Sequence, residues 1–173
     1  MNTKYELVEG DEKEVAPGVV VKRIRALVAI PATIFSPAVA PGELGGYIQK
    51  ESNLDVYGYA WVYGDARVYG DAWVYGDARV CGNAFVCGNA LVYDDGLIFW
   101  ASMVGTENGT LTVYNAKGND LLVTRGCFFG TPAEFLAKSA EEHDKRTHCE
   151  YSLLIEVATS RIEAARAKLK EKS

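Results

Sequence analysis

The sequence predicts a mainly β protein with C-terminal helices, centred on a parallel β-helix of hexapeptide repeats. Three observations carry that prediction: the middle of the chain falls into sixes, strand-like segments with turn residues flank it, and the C-terminal end switches to helical spacing. Read from Val56, the hexads begin at Val56, Val62, Val68, Val74, Val80, Val86, Val92 and Ile98, with Val104-Gly-Thr106 after them. All eight open on an aliphatic residue, and six carry Ala at the fifth position. Neither a helix nor an ordinary strand has a period of six, whereas a solenoid does when a short strand plus a turn forms one side of a triangular coil. About three coils of eighteen residues are then expected between 42 and 109. The aliphatic residue faces inward and the Ala fills a tight corner. The Gly-Asp or Gly-Asn pair supplies a turn that favours positive φ or a side-chain-to-backbone bond.

The flanks read in order. Tyr5–Val8, a charged turn at Gly10–Glu14 and a return strand over Val19–Val28 make an N-terminal hairpin. Pro31, Pro37 and Pro41 then mark a loop, so that residues 1–41 form a lead-in, and Gly45-Gly46 permit close backbone approach in Gly42–Ile48. After the repeats, Thr110–Tyr114 and Leu121–Thr124 flank turn residues 115–120 and predict a second hairpin. Thr131-Pro-Ala-Glu134 is a capping box with Pro in the first turn, and starts a helix running to about Glu142. A longer helix near Glu150–Lys170 sets Tyr151, Ile155, Ala158, Ile162, Ala165 and Leu169 along one seam. That seam suits packing on the prism or a coiled coil between subunits. Residues 110–173 thus form a hairpin plus two-helix segment.

Charge and composition narrow the function. Residues 51–105 hold two basic and seven acidic groups, and the segments on either side balance, so the repeats carry the whole net charge of −5. A surface of that sign repels phosphate backbones and argues against duplex nucleic acid. No run of eighteen apolar residues is present to span a membrane, and Met1–Glu6 lacks a secretion signal. Cys81, Cys87, Cys127 and Cys149 show no paired spacing, which points to a reducing cytoplasm. Positions eighteen apart stack, so Tyr57/Tyr75/Tyr93, Tyr63/Cys81/Phe99, Trp61/Arg79/Leu97 and Arg67/Phe85/Met103 form outward columns. Three apolar outer faces exceed what a soluble monomer exposes. Folded-back termini and further copies of the chain are both expected to cover them.

Known chemistry on such a prism is disfavoured. The two histidines, His143 and His148, lie outside the repeats, where neither serves as a coil-borne general base and two cannot supply a three-histidine zinc site. Asp65, Asp71 and Asp77 sit on different corners. Asp77 over Asp95, with Asp94 beside it, is read as solvated turn residues and not as a cation site. No catalytic residue, metal ligand set or cofactor is assigned. What remains is recognition: Trp61, Tyr63, Arg67, Tyr69, Trp73, Tyr75 and Arg79 combine flat rings with guanidinium groups suited to stacking a base, pairing a phosphate or anchoring a protein.

Lys22–Leu27, Gly42–Ile48, Glu51–Leu54, the Trp-Val-Tyr-Gly-Asp-Ala repeats, Thr124–Thr131, Glu134-Phe135 and Glu150-Tyr151 resemble hexapeptide-repeat proteins encoded in bacteriophage and prophage genomes. The likeness covers nearly the whole chain, departing in Pro31–Val39 and in the change from Tyr to Cys in the middle repeats. It implies a left-handed β-helix and a homotrimer, in the cytoplasm of an infected bacterium. It implies no activity and no catalytic residues. On it rests the expectation of a non-catalytic phage accessory protein that counters host antiviral defence, by sequestering a nucleotide signal between subunits or by docking on a defence protein. A coenzyme A-dependent acyltransferase relative and a structural or assembly protein are the alternatives.

Overall fold

A computed structural model describes residues 2–33 and 36–171. The chain is mainly β with two C-terminal helices and divides into two compact units, residues 1–95 and 96–173.

In the first unit, β1 (Tyr5–Ala16) and β2 (Val19–Ala26) form an antiparallel hairpin closed at Pro17-Gly18. The charged segment Gly10–Glu14, expected as the turn, lies inside β1. Its charges have partners along the strand: Asp11 accepts from Arg23 Nε at 2.7 Å and from the Tyr47 hydroxyl at 2.9 Å, and Lys13 pairs with Asp65 at 2.7 Å. A register shift between Leu7 and Glu12 absorbs the extra residues. The true turn uses Pro-Gly, with fixed φ at the first position and positive φ at Gly18. Ile30 and Val39 bridge the Pro-rich loop.

Strand β3 (Leu44–Ile48) continues the hairpin sheet antiparallel to β2 and then pairs in parallel with the repeats. These supply six two-residue strands: β4 (Trp61–Val62), β5 (Arg67–Val68), β6 (Trp73–Val74), β7 (Arg79–Val80), β8 (Phe85–Val86) and β9 (Leu91–Val92). β4 pairs with β7, β5 with β8 and β6 with β9, each in parallel and each eighteen residues apart. The N–H of Trp61, Arg67 and Trp73 donates to the carbonyl of Ala78, Ala84 and Ala90 in the next layer at 2.9–3.1 Å. Val62, Val68, Val74, Val80, Val86 and Val92 and the alanines between them are fully buried. Each such valine contributes roughly 1.5–3 kcal/mol of burial. The corner glycines, Gly64 to Gly88 in steps of six, all adopt positive φ, as the repeat requires.

Among the described residues no sheet closes on itself, and the five-stranded one, β1-β2-β3-β5-β8, is mixed. Val56 does not open a rung; Leu54 bridges to Val74 in its place. The upper end is finished by side-chain amides. Asn53 donates to the carbonyls of Gly70 and Ala72 at 3.1 and 2.8 Å, while Gln49 accepts from the Gly70 N–H at 2.8 Å. At the lower end the repeat expected at Ile98 is absent.

The second unit uses that segment differently. β10 (Ile98–Val104), β11 (Gly109–Asn115), β12 (Leu121–Arg125) and β13 (Phe128–Gly130) form an antiparallel meander. The expected hairpin at 110–124 is therefore present, and Phe99 and Met103 leave the columns assigned to them. Helix α1 (Pro132–Glu142) begins with the Thr131–Glu134 capping box, and its reciprocal bonds hold the Glu134 carboxyl below its ordinary range. Helix α2 (Lys145–Glu171) buries Tyr151, Ile155, Ala158 and Ile162 and packs on α1, β10 and β11. Within the unit the seam packs on the meander. Arg166 donates to Asn115 Oδ1 at 2.9 Å and to the Asp120 carbonyl at 2.8 Å. Among the described residues no helix is long and apolar enough to cross a membrane.

Two measurements test this packing. A Cβ at Gly46 would lie 2.6 Å from the Ala66 carbonyl and close against Val62. Gly46→Ala should therefore cost about 1–3 kcal/mol in chemical unfolding. Lys4 is only 3% exposed, its Nζ donates to the Asp55 carbonyl at 2.8 Å, and burial pulls its pKa from 10.5 to about 8, with Asp55 opposing and Arg79 adding to the fall. Between those two values the unfolded chain binds more protons than the folded one, so stability should rise with pH. Urea midpoints at pH 7 and 9.5 should show that rise in the parent and lose it in Lys4→Met.

Candidate functional site

The seven residues expected to serve recognition divide among three faces of the hexad stack. The first face holds Trp61, Tyr63 and Arg79, the second Arg67 and Tyr69, the third Trp73 and Tyr75; they do not converge. Each face is set by the same local rule: the residue before an inward valine points outward, as does the residue after it.

The first face is closed. Trp61 has no exposed surface, and the Tyr5 ring meets it edge-on at 6.3 Å. Tyr5 in turn is anchored through its hydroxyl to the Leu54 carbonyl at 2.8 Å, and burial raises its pKa. Arg79 is 3% exposed, bonding the Pro31 carbonyl at 3.0 Å and the Tyr63 hydroxyl at 3.2 Å. Tyr63 donates onward to the Pro37 carbonyl at 3.0 Å, and burial raises its pKa despite Arg79. Trp61 and Arg79 were expected to face outward toward a ligand; the hairpin and Pro-rich loop cover them. A cation with no carboxylate partner among the described residues is costly to bury. Its position beside Lys4 accounts for part of that lysine's lowered pKa.

The second face is half-buried. Arg67 lies over the Phe85 ring at 4.7 Å, so its guanidinium is occupied by a cation–π contact within the chain. Burial, then a hydrogen bond with Cys87, raises the Tyr69 pKa. Cys87 is buried and Cys81 partly so.

The third face is open. Trp73 is 42% exposed and stacks on Tyr75 with ring centroids 4.0 Å apart and planes 20° from parallel. Tyr93, in the layer below, lies 5.2 Å from Tyr75 and extends the stack. Burial, then the charge of Tyr93, raises the Tyr75 pKa. Trp73 also borders a groove of about 460 Å³ lined by Lys50, Glu51, Leu54, Asp55 and Asp71 among others. Its one lysine is paired with Asp71 at 3.0 Å, which leaves the groove acidic. Tyr57 is 92% exposed and Tyr59 is also exposed. Tyr93 and the groove residues were missed as site members; the eighteen-residue column containing Tyr75 was the available signal for Tyr93.

Among the described residues no three His, Cys, Asp or Glu side chains are grouped to hold a metal ion. Asp94 is partly buried, and the Asp95 side chain, half of the carboxylate pair considered for a cation, lies outside the described residues. His143 caps the C-terminus of α1, and His148 Nδ1 lies 3.3 Å from the Ser139 hydroxyl.

These features define a repeat protein built on stacked parallel strands. A family model described as the YdcK beta solenoid repeat matches residues 60–76, a span that begins at Ala60 and takes in β4, β5 and β6. The chain therefore carries a β-solenoid repeat at the segment that presents Trp61, Arg67 and Trp73. Comparison with curated proteins gives no match.

The faces should separate experimentally. Trp61→Ala should cost about 3–5 kcal/mol in unfolding free energy. Trp73→Ala, at an exposed position, should change it by less than about 1 kcal/mol, and iodide should quench Trp73 fluorescence but not that of Trp61.

Proposed function

We propose that this chain is a non-catalytic binding protein that docks a protein partner on its open aromatic face. The observation that carries the reading is the Trp73–Tyr75–Tyr93 stack, with Trp73 exposed and the two tyrosines half-buried, beside an acidic groove on a ladder whose first face is covered. Trp and Tyr dominate protein interfaces because they remove large flat areas from water at low cost in side-chain freedom.

A protein surface suits this face better than a nucleotide does. The two arginines expected to pair a phosphate are engaged elsewhere, Arg79 in the interior and Arg67 over Phe85. The neighbouring carboxylates of Glu51 and Asp55 repel anions. The resemblance to phage- and prophage-encoded hexapeptide proteins supports a left-handed winding, a homotrimeric assembly and a role in blunting host defence. Burial of the open face against a defence protein would serve that role without chemistry.

The test pairs plating of a defence-sensitive phage with solution mass. Bacteria carrying a defence system and expressing the parent chain should restore plaque formation. Trp73→Ala/Tyr75→Ala should lose that restoration while keeping the parent's circular dichroism spectrum, and light scattering should give a trimer. Undiminished restoration by the variant, or a nucleotide recovered in stoichiometric amount from the purified protein, would move the function off this face.

A further inference from the structure

We infer that the second unit contains a binding site for a small aromatic carboxylate. A cavity of about 190 Å³ lies between the end of the β12–β13 hairpin and the two helices, lined by Arg125, Phe128, Phe135, Lys138, His143 and Tyr151 among others. An apolar cavity of roughly 150 Å³ takes one benzene ring. The volume therefore suits a single ring with one small substituent.

One wall is aromatic. Phe128 meets Phe135 edge-on at 5.2 Å, Phe135 meets Tyr151 edge-on at 5.0 Å, and the His143 ring lies 5.6 Å from Tyr151. The other feature is a pair of buried donors with nothing to donate to: the Tyr151 hydroxyl, on a residue with no exposed surface, and Arg125 Nε. Arg125's remaining contacts are loose, 3.6 Å to a Glu107 carboxylate that is 81% exposed and 3.3 Å to the Val104 carbonyl. Lys138 adds a second cation, itself only 3.6 Å from Glu142.

Two glycines leave space that these groups occupy. A Cβ at Gly105 would overlap the Tyr151 hydroxyl, and one at Gly109 would lie 2.6 Å from the Arg125 guanidinium. Buried donors without acceptors are rare and destabilising. Glu107 and Glu142 also line the cavity, but each sits 3.6 Å from its cation and is largely exposed, so neither reaches the buried Arg125 Nε or the Tyr151 hydroxyl. A bound carboxylate would supply two acceptor oxygens to those donors while its ring fills the aromatic wall. Neither a bare inorganic anion nor an uncharged ring meets both requirements. This site is independent of the aromatic face of the first unit.

Benzoate is the probe, followed by calorimetry and thermal shift on the full chain. It should bind saturably and raise Tm. Tyr151→Phe, which removes only the hydroxyl, should weaken benzoate by about tenfold or more while leaving apo Tm equal to or above the parent's. Arg125→Gln should weaken it further, with one-dimensional NMR confirming that the variant is folded. Acetate should bind far more weakly than benzoate. Absence of benzoate binding at millimolar concentration, equal affinity in Tyr151→Phe, or acetate binding as tightly as benzoate would each overturn the assignment.

Discussion

A strand of two residues has too few hydrogen bonds to persist alone, so β4 to β9 exist only because each is repeated one layer away. The stacking of Val62 on Val80, Val68 on Val86 and Val74 on Val92 is thus the interaction on which the first unit depends. It explains the rest of the hexad. Alanine at the fifth position keeps the corner small enough for the next carbonyl to accept from the layer above, as Ala78, Ala84 and Ala90 do. Glycine at the third position takes a backbone geometry that a β-carbon would oppose. It also explains the ends, since the first layer's exposed carbonyls need donors that no further layer provides. Asn53 and the N–H groups of Tyr47, Gln49 and Asp55 supply them.

A stack of this kind has three outer faces with the same backbone, and what distinguishes them is what the flanking chain does. The β1–β2 hairpin extends one ladder as a mixed sheet, and Tyr5, Pro31 and Pro37 close over Trp61 and Arg79. The consequence is an unusual interior holding two cations, Lys4 and Arg79, whose hydrogen bonds run to carbonyls and a phenol rather than to carboxylates. Lys4 responds by losing affinity for its proton, whereas an arginine guanidinium cannot. Apolar closure of this face therefore comes with an electrostatic cost that the open face does not bear.

Period and chemistry made the stack legible in the sequence, because the eighteen-residue offset follows from three sides of six. The capping box of α1 and the seam of α2 were equally legible, being local patterns with local causes. Three features were not. The hexad pattern continues into Ile98, yet Ile98-Phe-Trp-Ala-Ser-Met103 lacks the third-position glycine, so after a 3-10 turn at Asp95–Leu97 the chain runs on as the seven-residue strand β10. Gly10–Glu14 looks like a turn by composition, but Arg23, Tyr47 and Asp65 give its charges partners along a strand. Outward direction at Trp61 and Arg79 was readable. Coverage was not, because it depends on contacts with residues more than twenty positions away.

That last distinction governs which residues are left to recognise anything. Ring-bearing and cationic side chains look equivalent in a repeat read by eye, but folding treats them differently: a guanidinium on a crowded ladder finds a carbonyl or a neighbouring ring, and its charge is then spent inside the chain. Arg79 and Arg67 both meet this end. Trp73 and Tyr75 escape it because each satisfies the other by stacking while keeping one side toward solvent. A ring pair held in that way has little rotamer freedom left to lose, so a partner that covers it gains burial with a small entropic penalty. The open face is accordingly preorganised and apolar with acidic neighbours, a combination that supports the proposed docking of a protein surface over that of a polyanion.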